Sequence, residues 1–150
     1  MFDLQIVSEN PAKKFLKDKK INPSNVLFEV PIPKIKGIFK AQKIKDIDIA
    51  FTGQINSYRS YRYKYIMHLE KLKKLGYKVF LNTEFNNKMM TFEEYASILN
   101  RSKIVINFSY SVHCHQLKGR TLEAMLSGAM LLETKNDQTP MIFEDGKDFI

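Results

Sequence analysis

The sequence predicts an α/β fold, a Rossmann-like parallel sheet flanked by helices, over residues 46–150. Short apolar runs of strand length alternate with segments whose apolar residues recur at helical spacing. Glycines and a capping motif mark the ends of several of these segments. The strand–helix unit repeats at intervals of about 25–30 residues, a spacing that favours parallel strands joined by right-handed crossovers.

The first unit begins with the apolar run Ile47–Phe51, a buried strand that leads into Gly53. A helix follows, and Gly76 stands where a C-cap glycine belongs. The second strand is predicted at Tyr77–Leu81. The core-facing stripe of the helix is predicted to contain Ile66, Leu69, Leu72 and Leu75.

Two more units follow. Thr91 and Glu94 have the spacing of a capping box, which predicts a helix start. Lys103–Phe108 is the third predicted strand, Arg120–Ser127 a short helix, and Ala129–Glu133 the fourth strand. Because ligands of such sheets bind outside the carboxyl ends of the strands, we expect functional residues in the loops that follow them.

Residues 1–45 are predicted to be a partial N-terminal segment and linker that precede the lobe. Pro31, Pro33 and the charged run Lys34–Lys45 are typical of a linker or hinge. Ser8–Lys20 is compatible with a short helix and Val26–Val30 with a short strand. The pattern reaches residue 150 without a closing helix, so we expect the lobe to be truncated at its C-terminus.

Charge and composition make several classes of function less favoured for this chain. The net charge is +8, and residues 1–45 hold ten lysines against four acids. These lysines are not interleaved with the aromatics or arginines that a nucleic-acid groove favours, so we expect a solvated surface, with polyanion or membrane-surface binding as the alternative. No apolar run approaches the roughly 18 residues of a membrane helix. Cys114 is the only cysteine, which excludes an intrachain disulfide and favours a cytoplasmic location.

The start of the helix Arg120–Ser127 has the chemistry of a diphosphate and ribose site. Gly119 lets a ligand approach the backbone, and Lys118 and Arg120 add positive charge at a helix N-terminus. Glu123, one turn further, can accept hydrogen bonds from a ribose diol. The local sequence leaves open a plain surface helix with an acid near its start.

Four stretches of the chain have a characteristic order and spacing. They are Asp46–Gly53, Ser102–Ser109, Gln116–Gly128 with the strand after it, and Phe143–Lys147. Together they resemble the C-terminal donor-binding lobe of GT-B glycosyltransferases, and the most similar branch is the glycosyl transferases group 1 that includes spore maturation protein CgeB. The resemblance covers residues 46–150 and implies binding of a nucleotide diphosphate-sugar, such as a UDP-sugar, without a metal ion or other cofactor.

The resemblance implies a diphosphate clamp after the first strand. Gly53 matches the family's glycine, and Arg59 stands where the family has a lysine six positions later. Gln54 replaces an arginine of this clamp, and Arg62 or Arg120 could supply the missing charge. A solvated helix start is the alternative for Arg59 and Arg62.

The ribose and sugar positions are also implied by the resemblance. Glu123 matches the glutamate that binds the ribose, whereas His115 stands eight positions earlier, where many retaining members have a sugar-contacting glutamate. His115 is thus a possible sugar or diphosphate contact, or else a structural loop residue. His113, Cys114 and His115 are too crowded for a good zinc site, and we predict no metal site. The base is expected near Asn82–Met90.

Three function hypotheses remain open: a glycosyltransferase, a non-catalytic nucleotide-sugar-binding module or enzyme fragment, and a basic nucleic-acid-binding protein. The last is the least favoured, and no nucleic-acid partner is expected. In GT-B enzymes the reaction takes place between two lobes, so a donor lobe alone would lack the residues that bind the acceptor. We therefore expect a separate acceptor-binding lobe or subunit and assign no catalytic residue.

Overall fold

The computed structural model describes residues 37–83, 90–109, 118–136 and 138–150, together with two short strands near the N-terminus. These strands, β1 (Gln5–Val7) and β2 (Val26–Phe28), pair in parallel. The strand predicted at Val26–Val30 is thus present in shorter form, whereas β1 was not predicted. The helix predicted at Ser8–Lys20 lies outside the described residues.

A second sheet forms the body of the lobe and confirms the predicted Rossmann-like α/β fold. Its four strands are all parallel and follow the order β4-β3-β5-β6. The strands are β3 (Ile47–Thr52), β4 (Val79–Asn82), β5 (Ser102–Asn107) and β6 (Met130–Glu133). The helices are α1 (Tyr63–Lys74), α2 (Phe92–Arg101) and α3 (Gly119–Leu126), with 3₁₀ helices at Ser57–Arg62 and Thr139–Met141.

Helices cover both faces of the sheet. On one face, Phe51 of β3 packs in a core with Ile66 and Leu69 of α1. On the other face, a second core joins the sheet to α2 and α3 and includes Leu99 and Leu131, both fully buried. Because β3 and β5 are the inner strands of the sheet, they read as near-continuous apolar runs in the sequence.

The end of α1 shows why the second strand starts later than predicted. Gly76 has a φ of 94°, the left-handed conformation expected of a C-cap glycine. Its amide donates to the oxygen of Lys73, and the amide of Tyr77 donates to Leu72, so Tyr77 closes the helix and does not extend the strand. Leu75, predicted in the core stripe, is 75% exposed because the helix ends just before it.

The segment 38–45, which falls within the predicted linker, packs on the lobe. Phe39 is 5% exposed and belongs to the core beneath α2 and α3. The Nζ of Lys45 donates to the main-chain oxygens of Asn100, Ser102 and Ser127 at 3.1, 2.9 and 2.9 Å. One ammonium group thus satisfies carbonyls at the ends of two helices, which otherwise lack partners there.

Candidate functional site

Gly53 follows β3 directly and lies between two guanidinium groups. Its φ of 148° is a conformation that glycine adopts far more readily than other residues. A Cβ built at this position would lie 3.6 Å from Nη1 of Arg62 and 3.6 Å from Nη1 of Arg120. The structure therefore brings together two cations from different elements at a backbone position without a side chain.

Arg62 is held in place by neutral oxygen atoms. It is 7% exposed. Its Nη1 donates to the oxygen of Gln54 at 3.0 Å, its Nη2 to the oxygen of Phe108 at 3.3 Å, and its Nε to the hydroxyl of Tyr61 at 3.1 Å. The guanidinium also lies over the ring of Phe108, 5.2 Å from its centroid. Arg62 thus fixes a positive charge at the carboxyl ends of β3 and β5.

A third arginine adds to this charge. Arg59 interrupts the 3₁₀ helix with a non-helical φ of −126°. Its Nη1 donates to Oε1 of Gln54 at 2.5 Å. The side chain of Gln54 therefore orients a neighbouring arginine. Burial lowers the pKa of Arg62, and the charges of Arg59 and Arg120 lower it further. The guanidinium of Arg62 keeps its positive charge at neutral pH in spite of this lowered pKa. A bound anion would therefore relieve the repulsion among the three arginines.

Arg120 has an unused hydrogen-bond donor. Its guanidinium lies over Phe51, 6.0 Å from the ring centroid, and within the described residues its buried Nε has no hydrogen-bond partner. Arg120 belongs to the first turn of α3, which begins at Gly119. Lys118 occupies the N-cap position with no capping bond from its side chain. A buried donor without an acceptor is unfavourable by about 1–3 kcal/mol, so this position is suited to an acceptor atom of a ligand.

Glu123 is held by a tyrosine that the sequence analysis did not assign to the site. The hydroxyl of Tyr95, on α2, donates to Oε2 of Glu123 at 2.5 Å. The other carboxylate oxygen, Oε1, would lie 3.5 Å from a Cβ built at Gly119. Gly119 therefore places no side chain against this oxygen.

A buried carboxylate supports the strand ends next to this site, and sequence reasoning missed it as well. Glu133 is 9% exposed at the end of β6. Its Oε1 accepts hydrogen bonds from Nδ2 of Asn107 at 2.6 Å and from the hydroxyl of Ser109. Its Oε2 accepts from the hydroxyl of Thr139 at 2.8 Å. Thr121, in the first turn of α3, lies 3.4 Å from Oε1. Polar residues at the ends of apolar strands were the available signal.

A cavity of about 630 Å³ lies between β4 and α2. Asn82 and Met90, the ends of the loop where we expect the base, both line this cavity, as do Phe80 and Glu93. A second cavity of about 400 Å³ lies on the opposite face of the sheet, beside α1 and β6. Of these two cavities, the first therefore lies where we expect the base.

Some predicted site residues lie outside the described residues. They are His115, the possible sugar contact, with His113 and Cys114 next to it. Gly53, Arg62 and Arg120 are brought together, whereas Glu123 is joined to Tyr95. The described geometry is thus that of an arginine cluster and a tethered carboxylate at the carboxyl edge of the sheet.

Comparison with known proteins identifies a family for this chain. The sequence model of a family described as glycosyl transferase-like matches residues 38–150. The match begins with the packed segment before β3 and includes the arginine cluster, Tyr95, Glu123 and Glu133. No curated protein matches the chain. Within the ranges that the structure describes, none of the helices has the length and apolar character to cross a membrane.

Proposed function

The chain belongs to the glycosyl transferase-like family, and we propose that it is the donor-binding lobe of a GT-B glycosyltransferase related to the CgeB-like branch. In this proposal the lobe binds a nucleotide diphosphate-sugar, a UDP-sugar or another, at the carboxyl edge of its sheet. The sugar is then transferred to an acceptor held by a separate lobe or subunit. No metal ion or other cofactor has a role.

The convergence of Arg62 and Arg120 on Gly53 is the observation that carries this proposal. A diphosphate needs several donors and positive charge in a small volume, and guanidinium groups supply both. The buried Nε of Arg120, which lacks a partner within the described residues, would gain an acceptor from a phosphate oxygen. The N-terminus of α3, with Lys118 at its cap, adds backbone N–H groups and a favourable dipole.

In the proposal, the ribose and the base bind next to this cluster. In the proposal, Oε1 of Glu123 accepts hydrogen bonds from the ribose diol beside Gly119. The base lies towards Asn82 and the cavity between β4 and α2. We favour a nucleotide diphosphate over inorganic phosphate as the ligand. The carboxylate of Glu123 would repel a simple anion, whereas it can accept hydrogen bonds from a ribose diol.

Calorimetric titration with UDP, GDP, UDP-glucose and GDP-mannose tests the proposal. We expect at least one ligand to bind, and uridine or guanosine to bind more weakly than its diphosphate. DNA, titrated over a range of salt concentrations, serves as the comparison. Strong salt-dependent DNA binding without affinity for any of these nucleotides would refute the proposal and support the basic nucleic-acid-binding alternative.

Turnover separates a transferase from a non-catalytic binding module. Release of free nucleoside diphosphate from the donor that binds can be followed with this chain alone and with a longer protein that contains an acceptor lobe. Release by either protein supports an enzyme. Tight donor binding, with release of nucleoside diphosphate by neither protein, would favour the binding module.

A further inference from the structure

We propose that Tyr95 is a positioning residue of the nucleotide site, which holds Glu123 apart from Arg120. The carboxylate then stays open to a ribose, and the guanidinium stays open to a diphosphate. This inference rests on the proposed function of the site. It assigns to Tyr95 a role that neither the sequence patterns nor the family match indicates.

Arg120 and Glu123 are natural partners for an ion pair. They are three positions apart on α3, a spacing that places two side chains next to each other on a helix surface. They nevertheless form no ion pair. Within the described ranges the ion pairs are Asp46–Arg101, Asp48–Lys103 and Glu144–Lys147.

The hydroxyl of Tyr95 explains the separation. It donates to Oε2 of Glu123 at 2.5 Å, which fixes the carboxylate towards α2. Burial raises the pKa of Tyr95 to about 12, the charge of Arg120 lowers it, and the charge of Glu123 raises it. The hydroxyl therefore experiences both charges and keeps its proton for donation at neutral pH.

The tyrosine ring is itself firmly placed. It packs edge-on against Phe39, with 6.0 Å between the ring centroids, and lies tilted against Phe92 at 6.3 Å. Replacing Tyr95 with phenylalanine keeps these ring contacts and removes only the hydroxyl. Without that hydroxyl, Glu123 can turn towards Arg120, and one internal ion pair would occupy both ligand-binding groups.

A double-mutant cycle tests the role. UDP or GDP, whichever the unaltered protein binds, is titrated into Tyr95→Phe, Glu123→Ala and the double variant. We expect Tyr95→Phe to weaken binding by about tenfold, and the double variant to bind no more weakly than Glu123→Ala, because the hydroxyl acts through the carboxylate. Tyr77→Phe, at a tyrosine that is 53% exposed, is the matched control and should bind as the unaltered protein does.

A ligand-free measurement separates this inference from the proposed function. A crystal structure of Tyr95→Phe should show Glu123 paired with Arg120. A carboxylate that keeps its position, an unchanged nucleotide affinity, or fully additive losses in the cycle would each overturn the role of Tyr95. If the unaltered protein binds neither nucleotide, the proposed function fails, and the crystal structure alone decides whether Tyr95 separates the two charges.

Discussion

Arg62 donates a hydrogen bond from Nη2 to the main-chain oxygen of Phe108 at 3.3 Å, which fastens its charge to the end of β5. Two further donors of Arg62 meet the oxygens of Gln54 and Tyr61. Arg120 approaches the same glycine but keeps a buried Nε without a partner among the described residues. The two arginines therefore differ, because the donors of Arg62 are bonded to the fold, whereas Arg120 keeps a buried donor without a partner.

Replacing Arg120 with alanine should weaken the binding of a nucleoside diphosphate by about 1.5–3 kcal/mol, the range for hydrogen bonds to charged groups. The affinity for the matching nucleoside should change much less, since it has no phosphate. Calorimetry with UDP and uridine, or with GDP and guanosine, measures the difference. Lys147→Ala is the control, because Lys147 is exposed, pairs with Glu144 and lines neither of the two cavities. Equal losses for nucleotide and nucleoside would contradict a phosphate role.

Replacing Glu123 with alanine should weaken nucleotide binding by about 1–3 kcal/mol, as expected when a charged hydrogen-bond acceptor is lost. A 2′,3′-dideoxynucleotide lacks the diol and should bind equally well to Glu123→Ala and to the unaltered protein. Glu144→Ala is the matched control, since Glu144 is exposed and pairs only with nearby Lys147 in the described structure. An unchanged affinity of Glu123→Ala for every common UDP- and GDP-sugar would rule out the ribose role.

The sequence was sufficient to predict the strands and α-helices of the lobe but not the contacts between them. Thr91 and Glu94 were recognised as a capping box from their spacing, and both reciprocal hydrogen bonds are present, at 3.1 and 2.9 Å. Such signals are local. The bond between Tyr95 and Glu123, and that between Lys45 and Ser127, join residues far apart in the chain. Periodicity identifies which residues form a helix. It does not identify the residues on other elements that their side chains contact.

Glu133 provides a stability test of such a long-range contact. Its two carboxylate oxygens accept hydrogen bonds from Asn107, Ser109 and Thr139. A glutamine at this position would replace one of these acceptor oxygens with an NH₂ group, which would face hydrogen-bond donors. We expect Glu133→Gln to lower the free energy of unfolding by about 1–3 kcal/mol, as for an unsatisfied buried group. Urea denaturation measures it. Glu144→Gln, on the surface, should stay within about 0.5 kcal/mol. A similarly small effect at Glu133 would show that the hydroxyl donors rearrange.

Substitutions at two glycines can distinguish the energetic cost of backbone strain from that of overpacking. Gly76 and Gly128 both have a positive φ, 94° and 64°. A Cβ at Gly76 meets nothing within 4 Å, whereas one at Gly128 would lie 2.7 Å from the Cβ of Ala41. Gly76→Ala should therefore cost about 1–2 kcal/mol from the backbone alone. Gly128→Ala should cost a further 1–3 kcal/mol or so from overpacking.

Thermal or urea unfolding of both variants compares these costs. Ala41→Gly, combined with Gly128→Ala, should recover the packing part of the loss and leave the backbone part. Equal destabilisation by the two single substitutions would contradict the close packing of segment 38–45 on the lobe.

The alkaline titration of Tyr95 should stand apart from that of an unfolded chain. Burial raises the pKa of this tyrosine to about 12, whereas a solvated tyrosine titrates near pH 10. The folded state thus favours the protonated hydroxyl, so its contribution to stability is complete below about pH 10 and is lost as the pH rises to about 12. Phenolate absorbance of the unaltered protein minus that of Tyr95→Phe should rise near pH 12 in buffer and near pH 10 in urea. A difference centred near pH 10 in the folded protein would show that Tyr95 is open to solvent, and the hydroxyl could not hold Glu123 as described.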